Sequence, residues 1–385
     1  MSTADEQDRL LREPRAALER ARRDPATWTS LAFRAQDTGE GHVRDHNQAA
    51  RFQVLLALQH DRRRQDLPLL RFLLREETAF YRQGAWGMGS DLTLAGFLVA
   101  EHRQVEDLWL HWTAKNISFD TALGYHLYHL LTGGVTAATE TVRASSHPDR
   151  DRILGEITTG RHTDAAVDEW LDRQRALFPA DPAAEDLRSW ADDAARLGDR
   201  EASRLFITEW AAGEPRTVRT LSALQARLAQ LGYLAEAVAV QKEAVAICGD
   251  SPGSSRMASA LMGLVRLQRQ AGQFTGARQS LRAAGRSLEG LPDWPWMGMW
   301  ISFVNEHFLL VPVAPDQYTG RRLLDEADHH LPNAPEKWLR GVLDQAITAA
   351  EHLNDDGRRD RYRAMRDLAR HAHESPHSPG AAETT

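Results

Sequence analysis

The chain has 385 residues, of which 42% are hydrophobic and 26% charged, with a formal net charge of −7. These values are those of an ordinary soluble globular chain and exclude a globally basic nucleic-acid binder. One cysteine, Cys248, excludes an internal disulfide and a cysteine metal cluster, and no run of 18 apolar residues signals a membrane span.

The start, Met1 to Asp8, is polar and acidic and carries no apolar signal core, so a cytoplasmic protein is expected. Only three of the 47 basic residues are lysines (Lys115, Lys242 and Lys337), a bias that with the alanine content points to a GC-rich bacterial genome. Residues 8–23 read as a charged helical run with Leu10, Leu11 and Leu18 as its apolar positions. Pro14 predicts a kink or a division into two short helices. Asp24-Pro25 opens a turn, Trp28, Leu31 and Phe33 start a buried element, and residues 36–46 read as a loop.

From Ala49 the apolar spacing becomes helical. Ala50, Val54, Leu55 and Leu58 share a face, and Asp66 with Pro68 marks the start of a second helix through Leu74. This unit, over about 49–77, resembles a HEAT repeat. The glycine-rich stretch Gln83–Asp91 breaks the helices; it lacks the Lys-Ser/Thr of a phosphate loop and reads as a connector. Ser90 or Asp91 is expected to cap the helix carrying Leu92, Leu94, Ala95, Leu98 and Val99. Val105, Leu108, Trp109 and Trp112 form its partner. Leu123, Leu127, Leu130 and Leu131 predict another helix, Ala137, Ala138 and Val142 the next, and residues 153–177 a pair around Gly160. Two prolines in Phe178–Pro182 mark an internal boundary.

Between Leu187 and Pro292 three helix–turn–helix units recur. Gly198 precedes Gly232 by 34 residues, and Gly272 follows it by 40, the excess falling in the loop Cys248–Gly253. Ahead of each glycine stand Leu187, Trp190 and Leu197, then Leu221, Leu224 and Leu231, then Leu261, Leu264 and Ala271. Small residues follow at Ala202 or Ser203, Ala237 and Ala277, and Pro215 closes the first unit. The segment resembles the tetratricopeptide (TPR) family, most closely over Leu224–Ala244. Arg200, Gly249 and Gly285 depart from that family's pattern. The resemblance covers a quarter to a third of the chain and implies a fold more than a function.

Beyond the repeats comes an aromatic segment that includes Phe303 and Phe308, in which Trp294, Trp296 and Trp300 are expected to cap the open end of the repeat core or to anchor a partner. Helices are predicted at 321–331, 338–353 and 358–371, with a turn at Asp356-Gly357 and a disordered tail over 373–385. No confident strand is predicted.

Few residues carry a chemical signature. His126 and His129 would share a helix face as a metal pair; with no third ligand in view, packing beside Tyr125 and Tyr128 is the expectation. His329-His330 point apart on a helix. Glu76-Glu77 and Asp192-Asp193 are paired carboxylates without a companion motif, and neither a cofactor nor a metal is expected. The arginines at 358, 359, 361, 363, 366 and 370 could face nucleic acid or an acidic partner, and a solvated face is the expectation.

The expectation is therefore all-α: a right-handed α-α solenoid of TPR-like hairpins, irregular in its N-terminal half. Its parts are N-terminal helices over 1–48, irregular hairpins over 49–179, repeats over 180–292, a helical cap over 293–372 and the tail. In a TPR-like array the first helix of each hairpin lines the concave face. That places Arg188, Asp192, Arg196, Arg219, Gln230, Arg266, Arg269 and Gln270 in one locally basic groove for an acidic peptide or protein, with no membrane or nucleic-acid partner. These arginines pairing with neighbouring acids is the competing reading. A ligand-sensing regulator and an all-helical enzyme are the alternative functions, and the oligomeric state stays open.

Overall fold

A computed structural model describes residues 3–37, 43–83, 87–249, 254–291, 294–333 and 336–374. Among them the protein is all-helical apart from one two-stranded ribbon. The chain divides into two compact units, Met1–Phe206 and Ile207–Thr385.

In the first unit, α1 (Thr3–Arg23) is one continuous helix through Pro14, so the division into two short helices does not occur. Pro14 is buried with Leu10, Leu11, Leu18 and Ala21, so the stripe it belongs to offsets the hydrogen bond that the ring removes. The stretch read as a loop instead forms β1 (Ala35–Asp37) paired antiparallel to β2 (Val43–Asp45). Strands of three residues are too short to show alternation, and long-range bonds hold this ribbon: Asp45, itself buried, accepts from the Arg34 and Asn47 backbones and pairs with Arg51.

Then follow α2 (Gln48–His60), α3 (Leu67–Arg82) and α4 (Ser90–Ala100). α4 is buried on every side, as its nearly unbroken apolar sequence requires, and is the axis of this unit's core with Leu55, Leu58, Leu70, Leu73 and Leu74. α2 packs on α1 and α4, and α3 on α4 and α5 (Leu108–Lys115). α6 (Phe119–Gly124) ends early, and Leu127–Leu131 is a 3-10 turn, so the helix predicted through Leu123 and Leu131 does not form and Leu123 is exposed. Tyr125 takes an extended backbone, and its hydroxyl reaches Gly96 of α4, where a Cβ would lie 2.3 Å from the Tyr125 oxygen. The unit continues with α7 (Val135–Ala144), α8 (Arg150–Thr159), α9 (Asp164–Leu177), α10 (Leu187–Arg196) and the first part of α11 (Arg200–Gly213).

The second unit contains α12 (Val218–Gln230), α13 (Leu234–Ile247), α14 (Ser255–Gln270), α15 (Phe274–Glu289), α16 (Met299–Leu310), α17 (Gln317–Asp328), α18 (Glu336–His352) and α19 (Asp356–Glu374). Each of the first five packs on the next, α16 also meets α14, α17 and α18, and α18 packs on α19. One turn recurs. Tyr233 N–H bonds to Leu228 C=O and Gly232 N–H to Ala229 C=O, and the same pair of bonds closes α10, α14 and α18. This is the Schellman closure, whose left-handed residue is Gly198, Gly232, Gly272 and, at the fourth site, Asn354. The φ angles at the last three are 84°, 71° and 54°. Trp300 is fully buried in one core with Leu261, Leu281, Phe303 and Phe308. Trp296 stays exposed. The tail past Glu374 lies outside the described residues.

Candidate partner-binding surfaces

The residues predicted for the basic groove fall in both units. In the first, Arg188 and Asp192 are exposed on α10, as is Arg196. Its guanidinium pairs with buried Asp91 of α4 and lies 3.5 Å from the centroid of the Phe52 ring. Asp91 thus serves as an inter-helix partner; the helix cap is Gly89, without a side-chain bond.

In the second unit, Arg219 and Gln230 are exposed on α12, and Gln230 accepts from Arg227 at 3.0 Å. Arg219 makes no ion pair with a described residue. On α14, Arg269 donates to both oxygens of Glu306 at 2.8 and 3.3 Å. Arg266 stands 3.8 Å from the same carboxylate, and Gln270 is exposed. Glu306, buried on α16, was not picked out by sequence reasoning; Phe303 and Phe308 only marked the segment as aromatic. Three arginines against one glutamate leave this face of α12, α14 and α16 basic.

The arginines at the chain's end are held down on their neighbours. Arg358 and Arg361 both reach Asp328 of α17, Arg363 reaches Glu351 and Arg366 reaches Asp344 of α18. Tyr362, fully buried, donates to Asp328 at 2.6 Å. This face is an intramolecular clasp.

The paired carboxylates separate. Glu76 accepts the Phe33 backbone N–H at 2.7 Å, whereas Glu77 is buried against Arg51 at 2.7 Å. Arg51 also holds Asp45 at 2.5 Å and the Leu31 carbonyl at 3.2 Å. Burial pushes the Glu77 carboxyl up to about 7, with Arg51 opposing and Asp91 and Asp45 reinforcing. Burial, then Glu185 and Asp91, carry Asp193 up to about 8 against the pull of Arg196.

His126 and His129 are not on a shared helix face. His126 caps the 3-10 turn by accepting from Tyr128 N–H and stacks on Trp170. His129 is buried, donates from Nδ1 to the His126 carbonyl at 2.9 Å and stacks on Tyr125. His111, also buried, meets the Tyr125 hydroxyl at 2.7 Å. Burial holds His129 down to about 3 and His111 well below the usual imidazole range. Both rings are therefore neutral packing groups at pH 7. No group of three or more His, Cys, Asp or Glu side chains suited to a metal occurs among the described residues.

A further concavity was not foreseen. α3 and α5 wall a groove of about 880 Å³ lined by Leu67, Arg71, Arg75, Arg82, Glu106 and Trp109. Beside it, sharing Leu67 and Gln104, is a second cavity of about 580 Å³ lined by Arg62, Arg63, Arg64 and Arg103 over Leu58, Leu70 and Leu98. The signal was in the sequence: residues 71, 75 and 82 are spaced four and seven apart, on one helix face. Comparison with protein-family models, with curated proteins and with solved structures finds no match. No described helix is long and apolar enough to cross a membrane.

Proposed function

We propose that the second unit is a TPR-like, right-handed array of helical hairpins that binds an extended segment of a protein partner, without catalysing a reaction. The observation that supports this reading is the recurring Schellman turn, which joins helices packed on one another in sequence order. A repeated hairpin joined by the same turn builds a continuous face from its first helices, here α12 and α14, with α16 packed beside α14. On that face Arg219, Arg266 and Gln270 are exposed, with Arg269 held half-buried by Glu306. Guanidinium groups grip carboxylates with paired hydrogen bonds, so the segment is acidic.

The test is hydrogen exchange of the full chain with and without a glutamate-rich peptide of about nine residues, a length spanning about 30 Å when extended. Amides of α12 and α14 gain protection, and R219E/R266E abolishes the gain while the helical spectrum is kept. Unchanged exchange in α12 and α14 at saturating peptide would overturn the reading.

A further inference from the structure

The groove between α3 and α5 has the makings of a site in its own right. Its walls are regular helices, and Arg71 bridges them by donating to both oxygens of Asp107 at 2.5 and 3.1 Å. Asp107 is buried, so this bridge fixes the floor of the groove. Buried Thr78 and half-buried Leu67, Ala79 and Leu110 complete it. Trp109, stacked on His147 with ring centroids 4.2 Å apart, stands on the far wall.

The basic residues here divide into two kinds. Arg62, Arg63, Arg71 and Arg103 are engaged by Glu101, Asp61, Asp107 and Asp168. Arg64, Arg75 and Arg82 are exposed and make no ion pair with a described residue. Most other arginines that line an inter-helix contact in this unit have found a carboxylate: Arg22 has three, Arg51 two and Arg196 one. Arg75 and Arg82 in the groove, and Arg64 in the adjoining cavity, are the exception to that pattern among the described residues.

We infer that the α3–α5 groove of the first unit is a separate binding site for an acidic peptide segment, with Arg75 and Arg82 as its carboxylate-gripping residues. The spacing sets the ligand. Arg75 and Arg82 are seven residues apart on one helix, a rise of about 10.5 Å. A peptide in the polyproline II conformation advances about 3.1 Å per residue with three residues per turn, so carboxylates three positions apart share one face and match the two arginines. Glu106 stands in the same groove, and Asp66 and Glu101 line the adjoining cavity. A peptide can leave uncharged residues opposite those acids. A nucleic-acid strand, with a phosphate at every step, is driven against them.

This inference does not need the second unit's array, and its test separates the two. The full chain carrying R219E/R266E, which silences the α12–α14 face, is titrated into a fluorescein-labelled peptide of about nine residues with glutamates at two positions three apart. The readout is anisotropy at about 50 and about 200 mM salt. The R219E/R266E chain binds, a glutamine-for-glutamate peptide binds at least about tenfold more weakly, and adding R75E/R82E weakens binding by at least about tenfold with the melting curve unchanged. The inference is overturned by absence of binding to the R219E/R266E chain, or by binding that survives R75E/R82E. It is equally overturned if an oligothymidine strand binds through Arg75 and Arg82 more tightly than the peptide does.

Discussion

Arg51→Met is the sharpest probe of the first unit's interior. The Arg51 side chain is 0% exposed and sits between Asp45 at 0% and Glu77 at 1%. Removing one member of a buried ion group strands its partners, at a cost of about 3–5 kcal/mol. Glu77 offsets part of this. Its carboxyl already rises to about 7 through burial, and without the opposing guanidinium it rises further and takes up a proton at neutral pH. Asp45 keeps the remainder, so a loss of about 3 kcal/mol is expected at pH 7, shrinking as the pH is lowered and the stranded carboxylates protonate. The triple variant D45N/R51M/E77Q, which leaves no charge behind, recovers most of that loss. Urea unfolding read by hydrogen exchange at α2 and α3 amides reports on this unit alone. A loss below about 1 kcal/mol for the single variant, or a triple variant no more stable than it, would refute the argument that burial makes this cluster cooperative.

Three further outcomes are expected. Gly272 has φ of 71° and open space around a Cβ, so Gly272→Ala costs about 1 kcal/mol through backbone strain alone, Gly272→Asn costs less, and Asn354→Gly is neutral or slightly stabilising; equal melting temperatures for the Ala and Asn variants would contradict this. His129 and His330 are held down to about 3 and about 4 by burial, so the unfolded chain binds more protons below pH 6.5; stability is full above that pH and declines toward pH 4, and His129→Leu flattens the decline in the first unit. Asp328→Asn weakens the clasp made with Arg358, Arg361 and Tyr362, and limited proteolysis of α19 speeds up while α12 to α15 keep their protection.

The sequence carries local periodicity well and long-range pairing poorly, and the particulars follow that line. Gly198, Gly232 and Gly272 announced their turns because a left-handed backbone costs glycine least; the fourth turn was expected at Asp356-Gly357, but its left-handed residue is Asn354, a rarer choice. Helices at 187–289 were legible because each buries one stripe. α4 was legible as a helix, but its partner Arg196 was not, since the contact spans more than a hundred residues of chain. Tyr125 broke a helix that Leu123, Leu127 and Leu131 imply, because a contact with Gly96 outweighed local spacing. The same holds at the candidate surfaces. Arginines could be counted from the sequence, but which ones were neutralised depended on Asp91, Glu306 and Asp328, all distant in sequence. Arg266 and Arg269 illustrate the consequence: charge reversal at Arg269 removes the closer partner of buried Glu306, so it disturbs the core as well as the surface, whereas the more exposed Arg266 stands 3.8 Å from that carboxylate and Arg219 makes no ion pair with a described residue.

The most direct test of the proposed array is site-specific photocrosslinking in the full chain. A benzophenone side chain replaces Ala226, exposed on the first helix of its hairpin, or Ala239, exposed on the second helix. The account predicts that position 226 captures a glutamate-rich peptide, that excess unlabelled peptide competes it away, and that position 239 captures none. Equal capture from both positions, or capture from 239 alone, would contradict the claim that the first helices form the binding face.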